Sequence, residues 1–82
     1  MTLSPRTITI LQIRGMNAVH AVRAVETALG GLDGVVRAEV SLGTAEVEHD
    51  ARVTPQVLVE AVKVAGFEVE RWSQTSRRLP TL

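Results

Sequence analysis

The chain has 82 residues, nine Lys+Arg against nine Asp+Glu, and no cysteine. That length holds one small core, and the charge balance excludes the basic surplus that nucleic acid or an anionic membrane surface requires and the acidic surplus that keeps a chain disordered. The missing cysteines exclude disulfides, thiolate nucleophiles and Cys-ligated metals, and with 45% hydrophobic but only 2% aromatic residues the core must be aliphatic.

Residues 1–6 show no apolar run behind a charged leader, so they read as a short N-terminal extension, and no segment approaches a membrane span. A cytoplasmic protein without membrane insertion is expected. Thr7 to Ile13 is short and β-branched, the pattern of a strand, and Arg14-Gly15 breaks it. Ala18, Ala21, Val22, Val25, Ala28 and Leu29 then recur on one face of a helix. Asn17 is its expected N-cap, and Gly30-Gly31 is expected to stop it through a left-handed C′ glycine. Asp33-Gly34 is a turn. Val36, Ala38, Val40 and Leu42 alternate with Arg37, Glu39 and Ser41 along a second strand, and Gly43-Thr44 fits a tight hairpin. Ala45, Val47 and His49 alternate with Glu46, Glu48 and Asp50 in a third strand that has one wet face. Thr54-Pro55 is a helix start, with Thr as N-cap and Pro at the first helical position; Leu58, Ala61, Val62 and Ala65 form the stripe, and Gly66 ends it. Phe67 to Trp72 alternates again. Residues 73–82 are polar and aperiodic and read as a flexible tail, which leaves 7–72 as the domain.

The order is β-α-β-β-α-β. Four strands and two helices bury their apolar sides by placing both helices on one face of an antiparallel sheet. Right-handed crossovers then give an α+β ferredoxin-like sandwich with strand order 4-1-3-2. With Leu11 and Ile13 under the helices, Ile8 and Ile10 point away. Trp72, in the outward register with Glu68 and Glu70, is expected beside them in a small apolar patch; cover by the tail (Leu79-Pro80, or Arg77 over the indole) or ordinary exposure is favoured over a dimer contact. A monomer or weak dimer is expected.

The junction of the first strand and helix carries a motif. Arg14-Gly15-Met16-Asn17-Ala18-Val19-His20-Ala21-Val22 resembles the metal loop of heavy-metal-associated domains: copper chaperones, mercury-binding periplasmic proteins and the N-terminal modules of metal-transporting P-type ATPases. Their loop reads Gly-Met-x-Cys-x-x-Cys, and bacterial copper chaperones often place His before the second Cys, as His20 stands here. Gly34-Val35 with Ala38 to Leu42, Ala45 to Asp50, Thr54-Pro55 with Leu58, and Ala65-Gly66-Phe67 are similar to the rest of the family pattern, so the resemblance covers about residues 7 to 72. It implies a carrier of copper(I) or another soft metal that hands its ion to a P-type ATPase or similar domain.

The departure from the family lies at the ligands. The two family cysteines fall on Ala18 and Ala21. Soft ions choose soft sulfur, and a thiol at a helix N-terminus loses its proton readily; a methyl group has no lone pair. Hence no cofactor is expected in this chain as written. Deliberate Cys→Ala substitution accounts for the two alanines, and so does natural loss; a lookalike that never had the site is the third reading. Retention of Gly15, Met16 and His20 favours the first, while the Ala-rich helix and the high helix propensity of Ala suit the second.

By the resemblance, Met16 lies at the loop, where core packing is the expected role. His20 lacks a second ligand. His49 occupies a position where the family often has a core aromatic. Phe67 stands where the family has Tyr or Lys facing the metal, and with no polar tip it packs. Arg14 and Arg23 flank the loop and suit docking to an acidic partner surface, where charge serves orientation and on-rate. No nucleophile–base pair, carboxylate dyad or phosphate-cradling loop is present, so an enzyme is not expected. A metal-independent interaction or regulatory module is the alternative function.

Overall fold

A computed structural model of the chain describes residues 6–77. The elements are β1 (Arg6–Arg14), α1 (Val19–Gly30), β2 (Val35–Ser41), β3 (Thr44–His49), α2 (Pro55–Val64) and β4 (Glu68–Arg77). The four strands form one antiparallel sheet in the order β2-β3-β1-β4. This is the α+β ferredoxin-like sandwich expected from the element order, read from the opposite edge. Among the described residues no helix is long and apolar enough to cross a membrane.

The core lies between the helices and one sheet face. β1 alternates, burying Thr9, Leu11 and Ile13 while Ile8 and Ile10 sit on the other side. On β3 the buried partners are Ala45, Val47 and His49. α1 contributes Ala21, Val25 and Leu29, and α2 contributes Leu58 and Val62, each set spaced by four residues along one helix face. Leu11, Leu29 and Leu58 are fully buried, so truncating any of them to Ala should cost about 2–5 kcal/mol.

The helix ends follow local chemistry. The Thr54 side chain accepts from the Val57 N–H, and Pro55 occupies the first turn of α2. At the other end, Gly66 has φ +99°, and its N–H donates to the Lys63 carbonyl at 2.9 Å while the Phe67 N–H donates to the Val62 carbonyl at 3.1 Å. This pair of bonds closes the helix around a left-handed C′ glycine.

Several expectations are corrected. Asn17 is not the N-cap of α1: Ala18 occupies that position, in extended conformation, and no side chain caps the helix. Gly31 is right-handed, at φ −83°, so α1 ends on backbone bonds from Gly31 to Thr27 and from Leu32 to Leu29. Val36 and Leu42 are exposed rather than inward. A register shift between Val35 and Arg37 inserts a residue into β2, so that Val35 packs on the core in place of Val36, and Leu42-Gly43 rather than Gly43-Thr44 forms the hairpin turn.

The last strand also differs. It runs to Arg77 instead of ending at Trp72, because its polar residues continue the backbone ladder with β1 from Ile10↔Ser73 to Arg6↔Arg77. A register shift between Gln12 and Ile13 inserts Glu70 as an extra residue. The insertion inverts the alternation: Val69 pairs with Ile13, and Trp72 pairs with Leu11 on the helix side. The expected patch of Trp72 with Ile8 and Ile10 therefore does not form. Those isoleucines neighbour Thr75 and Ser73 on β4 and Glu48 and Glu46 on β3. The expected cover, by Leu79-Pro80 or by the Arg77 side chain, lies outside what the structure describes.

Candidate metal centre

β1 ends at Arg14, and the chain turns through Gly15, at φ +91°, into α1. A Cβ on Gly15 would stand 3.8 Å from Phe67 Cδ1, so the Phe67 ring, from the loop after α2, lies against this turn. Met16 is 6% exposed and belongs to the core cluster. Its burial ties the loop to the core. Asn17 is exposed, Ala18 is half-buried, and Ala21 is 3% exposed.

Ala18 and Ala21 share the first turn of α1. The Ala21 N–H donates to the Ala18 carbonyl at 2.9 Å, and side chains three apart on such a turn stand about 5–6 Å from each other at Cβ. The turn has no acidic residue and no side-chain cap, so the positive end of the helix dipole is uncompensated there. The structure thus brings together Gly15, Met16, Ala18, Ala21 and Phe67 at one end of the sandwich.

The remaining expected residues are spread more widely. His20 is exposed, and Val19 beside it is 79% exposed. Arg14 reaches Glu70 at 3.5 Å in an exposed ion pair, a geometry worth little in water. Arg23 is exposed one turn along α1, and its carbonyl accepts from the Thr27 hydroxyl.

His49 is far from the loop in the sheet, at the end of β3 that pairs with Thr7. It is 1% exposed, and it is held by polar partners rather than by packing alone. Its Nδ1 lies 2.9 Å from the Asp50 carbonyl and its Nε2 2.7 Å from Thr9 Oγ1, which also accepts from Gln74 Nε2 at 3.2 Å. A carbonyl only accepts, so Nδ1–H is the donor there; in the neutral ring Nε2 accepts from the Thr9 hydroxyl. Alternation alone points Thr9 and His49 inward, which is the signal for this chain of bonds; Gln74 was hidden because its strand was not expected to extend so far.

The donor set does not suit a soft ion. Two methyl groups occupy the mouth of the turn, the one thioether nearby is packed in the core, and the one imidazole nearby stands alone on the surface. Among the described residues, no three His, Cys, Asp or Glu side chains stand together as a metal cluster.

Comparison with known proteins agrees with this architecture. The model of the heavy-metal-associated domain matches residues 10–68. The copper chaperone CopZ of Bacillus subtilis (strain 168) is 39% identical over 64 residues, covering 74% of this chain and 93% of the relative. Among solved structures, a CopZ metallochaperone superposes with TM-score 0.73 at 35% identity, covering 76% of this chain and 97% of its own. A copper-binding domain from HMA7, a P-type ATPase, superposes with TM-score 0.72 at 34% identity, covering 79% and 90%. The fold, the Gly15-Met16 turn over the start of α1 and these likenesses together establish that the chain belongs to the heavy-metal-associated domain family.

Proposed function

We propose that this chain is a copper-chaperone-type module whose two ligand positions, Ala18 and Ala21, hold no donor. It keeps the scaffold that would carry a soft ion and lacks the grip. The carrying observation is the placement of the two alanines: the N-cap and the third residue of α1, on one turn, under a Gly15-Met16 loop packed from below. Thiols at these positions would face the helix's positive end, which favours the thiolate.

The relatives are named a copper chaperone, a metallochaperone and a copper-binding domain of a P-type ATPase, and copper(I), a soft ion, is the cargo this reading assigns to the scaffold. The partner class proposed is the same: a heavy-metal-associated domain of a metal-transporting P-type ATPase. Arg14 and Arg23 would orient the encounter on the face around the loop, and exposed Val19 adds apolar contact there. Each remaining residue of the loop keeps a mechanical role. Met16 fixes the height of the loop, Gly15 lets the chain turn against Phe67, and Phe67 shields the turn from water.

Titration of the unmodified chain with Cu(I) against a chromophoric chelator tests the reading. No withdrawal of copper from the chelator is expected; withdrawal at submicromolar affinity would overturn it.

A further inference from the structure

β4 is an edge strand of ten residues that pairs with β1 on one side only. Its edge is guarded by charged side chains of both signs and by a bulge at Glu70, and it contains neither proline nor lysine. It carries the only tryptophan, Trp72, at 47% exposure, a residue type favoured at protein interfaces. The chain's formal net charge is zero, so two copies meet without long-range repulsion.

The bulge at Glu70 gives this strand an unusual face pattern. Val69 and Trp72 pair with Ile13 and Leu11 and so lie on the helix side; Glu68, Arg71 and Ser73 pair with Arg14, Gln12 and Ile10 and lie on the other side, where Glu70 also reaches Arg14. The pattern is symmetric about the point between Glu70 and Arg71. In an antiparallel pair, side chains directly opposite each other must share a face. Two copies of β4 related by a two-fold axis through that point satisfy the rule: Glu70 meets Arg71 of the second copy twice, Val69 meets Trp72 twice, and Glu68 meets Ser73. A shift of one residue sets helix-side residues against outer ones. Within residues 68–75, registers centred on Ser73 or Gln74 bring no opposite charges together.

The charges are available for this role. Arg71 makes no ion pair among the described residues, and the Glu70 pair with Arg14 is 3.5 Å long between side chains that are 50% and 68% exposed.

We propose that β4 is a homotypic docking edge, where a second copy of this chain adds antiparallel about the Glu70–Arg71 midpoint. The product is a continuous eight-stranded sheet with all four helices on one side. The contact is short and reversible, in keeping with a small interface.

Sedimentation equilibrium of the full chain from about 10 µM to about 1 mM tests it, across the range in which small transient interfaces assemble. A monomer–dimer equilibrium is expected. Arg71→Glu replaces two opposite-charge contacts by two like-charge ones and should weaken it by roughly tenfold. The double change Glu70→Arg with Arg71→Glu restores complementarity only in this register and should return the affinity to within about threefold of the original. Both side chains are exposed, and far-UV circular dichroism verifies folding. A chain that stays monomeric at 1 mM, a dimer indifferent to Arg71→Glu, or a double variant as weak as the single one each overturns the proposal.

Discussion

Gly34 joins the turn after α1 to the loop after β3, and Gly34→Ala should be the most damaging methyl group that can be added to a turn of this protein. Gly34 has φ +98°, and a Cβ there would stand 2.6 Å from Asp50 Oδ1 and 2.9 Å from Val53 Cγ2. Two costs add. An L-residue in left-handed conformation loses about 1–2 kcal/mol. The forced shift of Val53, which is 5% exposed and part of the core, adds about 1–3 kcal/mol as overpacking. The Asp50 carboxylate must also swing away, although the Asp50 N–H donates to the Gly34 carbonyl at 2.9 Å and holds the loop against this turn. The total is about 2–5 kcal/mol, against a stability of order 5 kcal/mol for a domain of this size. Gly66→Ala is the reference: its φ is +99°, yet nothing lies within 4 Å of the added Cβ, so the strain cost alone applies. Urea unfolding followed by far-UV circular dichroism measures both. Equal destabilisation by the two changes would refute the assignment of a steric clamp between Gly34, Asp50 and Val53.

Three further outcomes are expected. Ala18→Asp supplies the missing N-cap acceptor of α1 and a charge that opposes the helix dipole, and should stabilise the fold by about 0.5–2 kcal/mol in urea unfolding. Thr9→Val keeps the shape but leaves His49 Nε2 without its partner, and should cost about 1–3 kcal/mol in the same assay. Hydrogen bonds from the Arg52 side chain and backbone hold the Asp50 carboxyl below its ordinary value of 3.8; a depressed folded-state value means the contribution is present above that pH and is lost as the pH falls below it. Acid titration of stability should therefore show this loss in the original chain and a flatter profile for Asp50→Asn.

Much of the fold is legible in the residues because caps, turns and periods agree. Thr54-Pro55 opens α2, Gly66 closes it, and the four-residue spacing of Ala21, Val25 and Leu29 marks the buried side of α1. Two of the errors share one physical cause. An inserted residue inverts the alternation downstream of it, so the exposed Val36 and the helix-side Trp72 both contradict a strict two-residue period. The doublet Val35-Val36 and the three-residue step from Val69 to Trp72 are the traces of those bulges in the sequence. Backbone pairing explains the extra length of β4, since Ser73 to Arg77 lack hydrophobic periodicity but complete the ladder along β1.

The turn before α1 is legible for a different reason. Gly15 takes a positive φ and Met16 packs in the core, so both mark the place of the turn whatever stands at Ala18 and Ala21. The N-cap was misread because Asn17 has the right side chain, while the chain enters the helix one residue later, at Ala18.

Restoring both thiols tests the central claim most directly. The variant Ala18→Cys with Ala21→Cys, reduced and verified as folded by far-UV circular dichroism, is titrated with Cu(I) against a chromophoric chelator. Withdrawal of about one Cu(I) per chain at submicromolar or tighter affinity is expected, as soft thiolates paired on one helical turn should provide. A folded double variant that leaves the copper on the chelator would contradict the assignment of Ala18 and Ala21 as the lost ligand positions.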